Sequence, residues 1–120
     1  MEIHCFDLDG TICKEKEKGT PYTEYANVEP FQDVIDYINE LYDNGNKIII
    51  YTARHMVSTN GDLDKIIDRV GKITEDWLSK HNVKYHELKF GKIYADYYYD
   101  DKAINIIKFR KDRSLTQWRI

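Results

Sequence analysis

The stretch Asp7-Leu8-Asp9-Gly10-Thr11 decides the fold of this chain, because two acidic side chains directly follow a short apolar run. That run, residues 3–6, is predicted to be a buried strand. Carboxylates two residues apart on extended backbone point to the same side, where they repel each other unless a cation lies between them. A hard divalent cation such as Mg²⁺ fits such a strand end. The alternative is an acidic turn that caps a helix, since Asp-Gly pairs are common in turns.

The chain beyond this stretch alternates short apolar runs with segments whose apolar residues recur at helical spacing. This pattern predicts further strands over residues 47–51, 83–88 and 97–99, and helices over residues 30–42, 63–80 and 103–110. Strands that alternate with helices favour an α/β fold, here a three-layer Rossmann-like domain with a mostly parallel sheet.

Polar side chains follow three of the predicted strands. They are Asp7 with Asp9, Thr52, and Asp100 with Asp101. In a parallel sheet the ligand lies beyond the carboxyl ends of the strands, so we expect these groups to gather at one edge. Lys92, after Gly91, could neutralise a phosphoryl oxygen there. Taken alone, Lys92 would be a solvent-exposed lysine and Thr52 an ordinary strand-end threonine, but their joint order along the chain is hard to obtain by chance.

Composition limits the classes of function. The 120 residues, 42% hydrophobic and 32% charged, suit one compact soluble domain. The net charge is 18 − 21 = −3, which argues against a general basic surface, so we expect no nucleic-acid partner. No apolar run approaches the roughly 18 residues of a membrane span, and we expect no membrane partner. Two cysteines without CxxC spacing and no signal peptide predict a reduced, cytoplasmic chain.

We expect residues 1–120 to form a single domain with two segments of less regular structure. Residues 14–18 alternate lysine with glutamate, and Gly19, Thr20 and Pro21 follow. Residues 14–27 are therefore predicted to be a solvated, flap-like loop, placed to gate a substrate. Residues 111–120 are mostly polar and are predicted to be either a docking tail or a frayed end.

Four motifs in this order resemble those of the haloacid dehalogenase superfamily. They are Asp7-Leu8-Asp9-Gly10-Thr11, Tyr51-Thr52-Ala53-Arg54, Gly91-Lys92 and Tyr99-Asp100-Asp101. The short spacing between the first two leaves no room for a large cap domain, so the chain resembles the capless phosphatase branch. The run Tyr51-Thr52-Ala53-Arg54-His55-Met56 and a helix that contains Ile73-Thr74-Glu75-Asp76-Trp77-Leu78 resemble small bacterial capsule or polysaccharide biosynthesis phosphatases. The resemblance covers about residues 1–110.

The resemblance implies a Mg²⁺-dependent phosphatase and a role for each matching residue. Asp7 would attack phosphorus and become an aspartyl phosphate, while Asp9 would act as acid and then as base. Lys92 would steady Asp7 and the phosphoryl group. The other implied roles are phosphate binding by Gly10, Thr11, Thr52, Ala53 and Arg54, and metal binding by Asp7, the Asp9 backbone carbonyl, Asp100 and Asp101.

Some assignments stay open at this stage. Either Asp100 or Asp101 would touch the metal directly, because Ile104 stands where many relatives carry a further acid. Lys89 is an alternative to Lys92, and Arg54 could equally form a structural ion pair. The substrate implied is a small phosphorylated metabolite, such as a sugar phosphate. The alternatives are a nucleotide or nucleic-acid end and, third, a non-catalytic binding module. Without a cap, residues 14–27, residues 55–62 or a neighbouring subunit of a homo-oligomer would select the substrate.

Overall fold

A parallel sheet of three strands forms the centre of the protein. The computed structural model describes residues 1–115, with the side chains of residues 1–113. The strands are β1 (Ile3–Asp7), β2 (Lys47–Thr52) and β3 (Glu87–Phe90), in the order β1-β2-β3, and the helices are α1 (Gln32–Asp43), α2 (Leu63–Lys80) and α3 (Ile106–Leu115), with a 3₁₀ helix at Tyr22–Asn27. The predicted α/β fold with a parallel sheet and no large cap domain is confirmed.

One face of the sheet carries the core. Alternate residues of β2 are buried on this face, whereas Ile49 and Tyr51 on the other face are half-buried. The side chains that share this core come from β1, β2, α1 and α2, and they are Phe6, Val34, Ile35, Ile38, Ile48, Ile50, Trp77 and Leu78. Burial of these apolar surfaces provides the main driving force for the fold.

The long helix α2 has the bounds that its apolar spacing predicts, residues 63–80. Asp62 caps its first turn, since the side-chain carboxylate accepts a hydrogen bond from the backbone N–H of Lys65. Gly71 is buried within the helix and does not interrupt it. The helix ends at Lys80, and the left-handed Asn82 (φ 55°) turns the chain away.

The prediction for the third strand is wrong by four residues at its start. Residues 83–86 still belong to the exit from α2, where the N–H of Val83 bonds to the carbonyl of Leu78. The N–H of His86 bonds to the carbonyl of Ile48 in β2, and the strand itself begins at Glu87, which lies opposite Ile49. Of residues 83–86 only Val83 is buried, where it packs in the core, and Lys84 and His86 are exposed.

The predicted strand over residues 97–99 is also wrong. Tyr97, Tyr98 and Tyr99 are 79%, 51% and 95% exposed, and the hydroxyl of Tyr98 donates locally to the carbonyl of Ile93. Among residues 1–115, β1 pairs on one side only, with β2. Tyrosine favours strands only where a neighbouring strand and a buried face are available.

The last helix starts later and ends later than predicted. Asn105 sets its start, because its side-chain oxygen accepts hydrogen bonds from the N–H groups of Ile107 and Lys108. Residues 111–115, predicted to be part of a tail, belong to this helix. Residues 116–120 of that predicted tail lie outside the described residues.

The segment predicted as a flap is tied down at both ends. The N–H of Lys14 bonds to the carbonyl of Glu29, and the N–H of Phe31 bonds to the carbonyl of Ile12. Its 3₁₀ helix contacts α2, and the indole N–H of Trp77 donates to the carbonyl of Val28 at 3.0 Å. The segment is thus folded against the domain next to the strand ends.

None of the helices described between residues 1 and 115 combines the length and the apolar character needed to cross a bilayer.

Candidate active site

Asp7 ends β1 and faces Lys92. Its Oδ1 lies 3.4 Å from the Lys92 Nζ, and 35% of its side chain is exposed. Lys92 reaches this position because its backbone N–H bonds to the carbonyl of Thr52 at the end of β2. The turn before it needs glycine: Gly91 has φ +95°, and a Cβ there would come within 2.8 Å of the Leu63 side chain. The order of the strands therefore brings the two groups together.

Two opposing effects act on the pKa of Asp7. Partial burial raises it, whereas the charge and hydrogen bond of Lys92 lower it, and the net shift is upward. An incompletely hydrated, accessible carboxylate beside a lysine is suited to act as a nucleophile. Of the two lysines that the sequence left open, Lys92 is the one at Asp7. Lys89 instead lies 3.3 Å from Glu87.

The backbone N–H groups of the turn after β1 bond to carbonyls of the same turn. Those of Thr11, Ile12 and Cys13 all point to the carbonyl of Leu8, and that of Gly10 bonds to the carbonyl of Cys13. Gly10 has φ +84°, which favours glycine there. Gly10 and Thr11 are predicted to bind phosphate, and their backbone N–H groups are engaged within the turn.

Arg54 is buried and holds Asp9. It is 4% exposed. Its Nε donates to Oδ2 of Asp9 at 2.9 Å and its Nη2 donates to Oδ1 at 2.8 Å, while Nη1 donates to the hydroxyl of Thr74 at 3.1 Å. The ring of Tyr25 covers the guanidinium, with 3.9 Å between its centroid and Cζ. Of the two roles left open for Arg54, the structure has the ion pair.

The electrostatics of this pair follow from its burial. Burial alone would lower the pKa of Arg54, but the hydrogen bonds and charge of Asp9 outweigh it and raise that pKa. The buried thiol of Cys13 also lies at the pair, 3.6 Å from Asp9 Oδ1 and 3.9 Å from Arg54 Nη2. Burial and the charge of Asp9 raise the pKa of the Cys13 thiol strongly. The thiol therefore stays protonated.

Thr52 ends β2 and Ala53 follows it, beside this pair. Thr52 is fully buried, and its hydroxyl oxygen accepts a hydrogen bond from the N–H of Arg54 at 3.1 Å. A hydroxyl that accepts one hydrogen bond still has a proton to donate. Ala53 is half-buried at the same strand end.

Asp100 and Asp101 lie apart from this arrangement. Both are exposed, and the side chain of Asp100 accepts a hydrogen bond from the N–H of Lys102 at 2.7 Å. Across the described residues, no three His, Cys, Asp or Glu side chains are grouped so that they could hold a metal ion. The structure therefore brings Asp7, Asp9 and the residues after β2 together but does not add the two later acids.

Magnesium chemistry nevertheless fits the strand end. Mg²⁺ commonly binds one or two carboxylates, keeps several waters and takes further oxygens from substrate phosphate. The half-exposed carboxylate of Asp7 is a donor of this kind.

Three functional neighbours escaped the sequence analysis. Tyr25 covers Arg54 from a segment predicted to be solvated, and no sequence signal marks it. Thr74 lies on the apolar stripe of α2, where a fully buried hydroxyl needs a hydrogen-bond partner, and this position could have been found on that ground. Cys13 carries no spacing signal.

Comparisons with known proteins agree with this fold. The model of the polynucleotide kinase 3 phosphatase family matches residues 2–94. The crystal structure of a protein from Vibrio cholerae aligns with a TM-score of 0.82 and 32% identity, over 99% of this chain and 92% of that one. A search of curated proteins gives no significant match.

Two more distant structures show the fold alone. A structure of a Pnkp1/Rnl/Hen1 complex aligns with a TM-score of 0.56 and 22% identity, over 98% of this chain and 35% of that one. D,D-heptose 1.7-bisphosphate phosphatase from B. bronchiseptica, complexed with magnesium and phosphate, aligns with a TM-score of 0.51 and 10% identity, over 86% of this chain and 54% of that one.

The fold and the family match define a phosphatase of the haloacid dehalogenase superfamily, a hydrolase of phosphate monoesters. The chain belongs to the polynucleotide kinase 3 phosphatase family. The resemblance to capsule or polysaccharide biosynthesis phosphatases is not confirmed by these matches.

Proposed function

We propose that the protein is a Mg²⁺-dependent phosphatase that works through an aspartyl phosphate on Asp7. One observation carries this proposal: the Asp7 carboxylate ends β1, is 35% exposed, and lies 3.4 Å from Lys92. A carboxylate that is accessible and faces a lysine can approach phosphorus while the lysine balances negative charge on the phosphoryl oxygens.

The reaction then has two steps. In the first, an Asp7 carboxylate oxygen attacks phosphorus, the bond from phosphorus to the leaving oxygen breaks, and Asp9 gives that oxygen a proton. In the second, Asp9 takes a proton from water, the water oxygen attacks phosphorus, and the bond to Asp7 breaks to release phosphate. Lys92 stays beside Asp7 throughout. We assign contacts with the phosphoryl oxygens to the hydroxyl of Thr52 and the N–H of Ala53.

Arg54 is a positioning residue in this proposal. It binds both oxygens of Asp9 and is itself buried, so it fixes the carboxylate two residues from the nucleophile. A carboxylate has about four lone-pair sites, so the two hydrogen bonds from Arg54 leave a site on Asp9 for the proton that passes to the leaving oxygen and is later taken back from water.

Magnesium would be held by Asp7 and the backbone carbonyl of Asp9, and when bound it would neutralise charge on the phosphoryl oxygens. Asp100 and Asp101 remain proposed ligands. Both are exposed, and among the described residues neither joins Asp7 in a group of three side chains that could hold a metal ion. We therefore expect their removal to weaken metal affinity rather than to abolish binding at Asp7.

For the substrate we propose the 3′-phosphate of a nucleotide or of a nucleic-acid end. The name of the matching family supports this class over the sugar phosphate expected from the sequence. The site has no large cap domain over it, which leaves room for a long substrate. The net charge of −3 does not oppose this class, because recognition of one terminal phosphate needs local rather than global positive charge.

The test is a panel of phosphomonoesters with Mg²⁺, run on the wild type and on Asp7→Asn. The panel contains nucleoside 3′-monophosphates, nucleoside 5′-monophosphates and sugar phosphates. We expect phosphate release from the 3′-monophosphates, dependent on Mg²⁺ and absent in Asp7→Asn. Equal release by the variant would refute the mechanism. Release from sugar phosphates alone would refute the substrate class and leave the mechanism intact.

A further inference from the structure

We propose that Tyr98 is a positioning residue of the phosphatase reaction, because its ring holds the ammonium group of Lys92 beside the nucleophile Asp7. The proposal rests on the proposed function above, in which Lys92 balances negative charge on the phosphoryl oxygens. Tyr98 belongs to the three consecutive tyrosines at residues 97–99, which do not form the strand that the sequence predicts. The fold therefore leaves its ring without a structural role in the sheet or the core.

The ammonium group of Lys92 lies between a carboxylate and an aromatic ring. Its Nζ is 3.4 Å from Oδ1 of Asp7 and 4.4 Å from the centroid of the Tyr98 ring. The second distance is well within the roughly 6 Å over which the face of a ring attracts a cation. Among the described residues, Asp7 is the carboxylate that pairs with Lys92, and the Tyr98 ring supplies the second contact.

The ion pair with Asp7 does not fix the ammonium group by itself. Its length of 3.4 Å exceeds the about 2.7–2.9 Å of a charge-assisted hydrogen bond. Lysine carries a compact charge on a flexible four-carbon stem, and 21% of this side chain is exposed. One long contact leaves such a group several positions. A ring at a second point restricts it to the position beside Asp7.

The ring of Tyr98 is itself held close to Lys92. Its hydroxyl donates a hydrogen bond to the carbonyl of Ile93, the residue directly after Lys92. The backbone of Lys92 is fixed in turn, since its N–H bonds to the carbonyl of Thr52 at the end of β2, at 3.1 Å. The ring and the ammonium group are therefore attached to the same short segment, and the sheet sets the place of that segment.

A ring suits this role better than a second carboxylate would. It attracts the ammonium group without a formal charge, so it neither neutralises Lys92 nor repels an anionic substrate. An ammonium group has three N–H donors, and among the described residues those of Lys92 face no acceptor other than Asp7 and the ring. Tyr98 thus holds the lysine in place and leaves its charge for the phosphoryl oxygens.

The experiment measures kcat and KM with Mg²⁺ on glycerol 2-phosphate, which has no ring, and on p-nitrophenyl phosphate. Tyr98→Leu should lower kcat about two- to fivefold on both substrates, the factor that an exposed cation–π contact contributes. The value of KM should change little, because Lys92 acts mainly on charge that develops during transfer. Tyr98→Phe keeps the ring face and should keep most of the rate. Phenylalanines with increasing numbers of ring fluorines at position 98 weaken the negative face at nearly constant shape, so kcat should fall stepwise.

A double-mutant cycle and two matched controls separate this effect from general damage. Lys92→Met should lower kcat far more than Tyr98→Leu, and in the Lys92→Met background Tyr98→Leu should have no further effect. Where the rate of Lys92→Met is too low to compare, the fluorinated series decides. Tyr97→Leu and Tyr99→Leu remove rings that are 79% and 95% exposed in the same segment, and both should keep the wild-type kcat.

Each contrary result has a distinct meaning. A wild-type kcat for Tyr98→Leu, or equal losses for Tyr98→Leu and Tyr98→Phe, overturns the ring as the basis. A loss confined to p-nitrophenyl phosphate overturns the proposal by showing that the ring contacts the substrate instead. A loss of the same size in the Lys92→Met background overturns the route through Lys92. Failure of the proposed function appears separately, as hydrolysis of both substrates at the wild-type rate by Asp7→Asn or Lys92→Met.

Discussion

Replacing the buried Arg54 with alanine should destabilise the protein more than removing a charged side chain that is exposed or half-buried. The side chain of Arg54 is 1% exposed and that of Asp9 is 22% exposed. Alanine removes both hydrogen bonds to Asp9, the one to Thr74 and the stacking on Tyr25, and it leaves the Asp9 carboxylate without its counter-charge.

The magnitude follows from burial. Removing one partner of a buried ion pair costs about 3–5 kcal/mol. Because Asp9 is partly exposed, water can solvate it in the variant, and we expect about 3 kcal/mol. That loss is a large part of a typical stability of about 5–15 kcal/mol and corresponds to a fall in Tm of about 10 °C.

Arg110 offers a matched control. It binds both carboxylate oxygens of Asp33, at 2.8 Å and 2.9 Å, and stacks on Phe31 at 4.1 Å, so it shares with Arg54 the paired carboxylate and the aromatic ring but not the bond to a buried hydroxyl. Its side chain is 33% exposed and that of Asp33 is 28% exposed. Arg110→Ala should therefore cost only about 1 kcal/mol, as half-exposed pairs do.

The assay is urea unfolding followed by tryptophan fluorescence, with linear extrapolation to water and a chelator present throughout. In an Asp9→Asn background Arg54→Ala should cost less, because the amide leaves no unpaired charge. A loss for Arg54→Ala that does not exceed the loss for Arg110→Ala would refute this account of the buried pair.

Three further predictions follow from the site and the turns around it. Asp7→Asn should raise the free energy of unfolding at pH 7 without metal. The pKa of Asp7 is higher in the folded than in the unfolded protein, so the ionised Asp7 lowers the free energy of unfolding at pH values above the folded pKa. This loss of stability disappears as the pH falls to the pKa of Asp7 in the unfolded chain. Urea unfolding of the wild type and the variant at pH 4 to 7 tests this difference. Gly91→Ala should lower the free energy of unfolding by about 1–3 kcal/mol, measured by thermal unfolding, and should displace Lys92. Gly19 has φ +84°, but a Cβ added there would meet no atom within 4 Å, so Gly19→Ala should lower the free energy of unfolding by only about 1 kcal/mol. A maleimide should label exposed Cys5 in the native protein and buried Cys13 only after unfolding, as peptide mass spectrometry would show.

The sequence predicted elements well where burial sets their pattern. The strand β2 and the helix α2 have uninterrupted apolar repeats that match one buried face each, so both lie where predicted. The predictions failed where the outcome depends on a partner distant in sequence. Residues 97–99 have high strand propensity, but propensity does not specify a neighbouring strand. The start of α3 depends on the side-chain cap of Asn105 rather than on apolar spacing.

The site was predictable to a similar extent. Parallel topology is sufficient to bring the carboxyl ends of β1 and β2 together, and it did so for Asp7 and Thr52, the last residues of the two strands. The identity of the Arg54 partner was one of two alternatives, because a guanidinium after a strand suits a carboxylate as well as a phosphate. Tyr25 could not be predicted, since its position depends on how the segment between β1 and α1 folds back.

Rapid-quench peptide mapping with a good phosphomonoester substrate and Mg²⁺ tests the central claim most directly. Acid quenching during turnover should trap a phosphorylated peptide that contains Asp7, labile to hydroxylamine as acyl phosphates are, and Asp7→Asn should yield none. A phosphate trapped on another residue, or hydrolysis by Asp7→Asn at the wild-type rate, would contradict the assignment of Asp7 as the nucleophile.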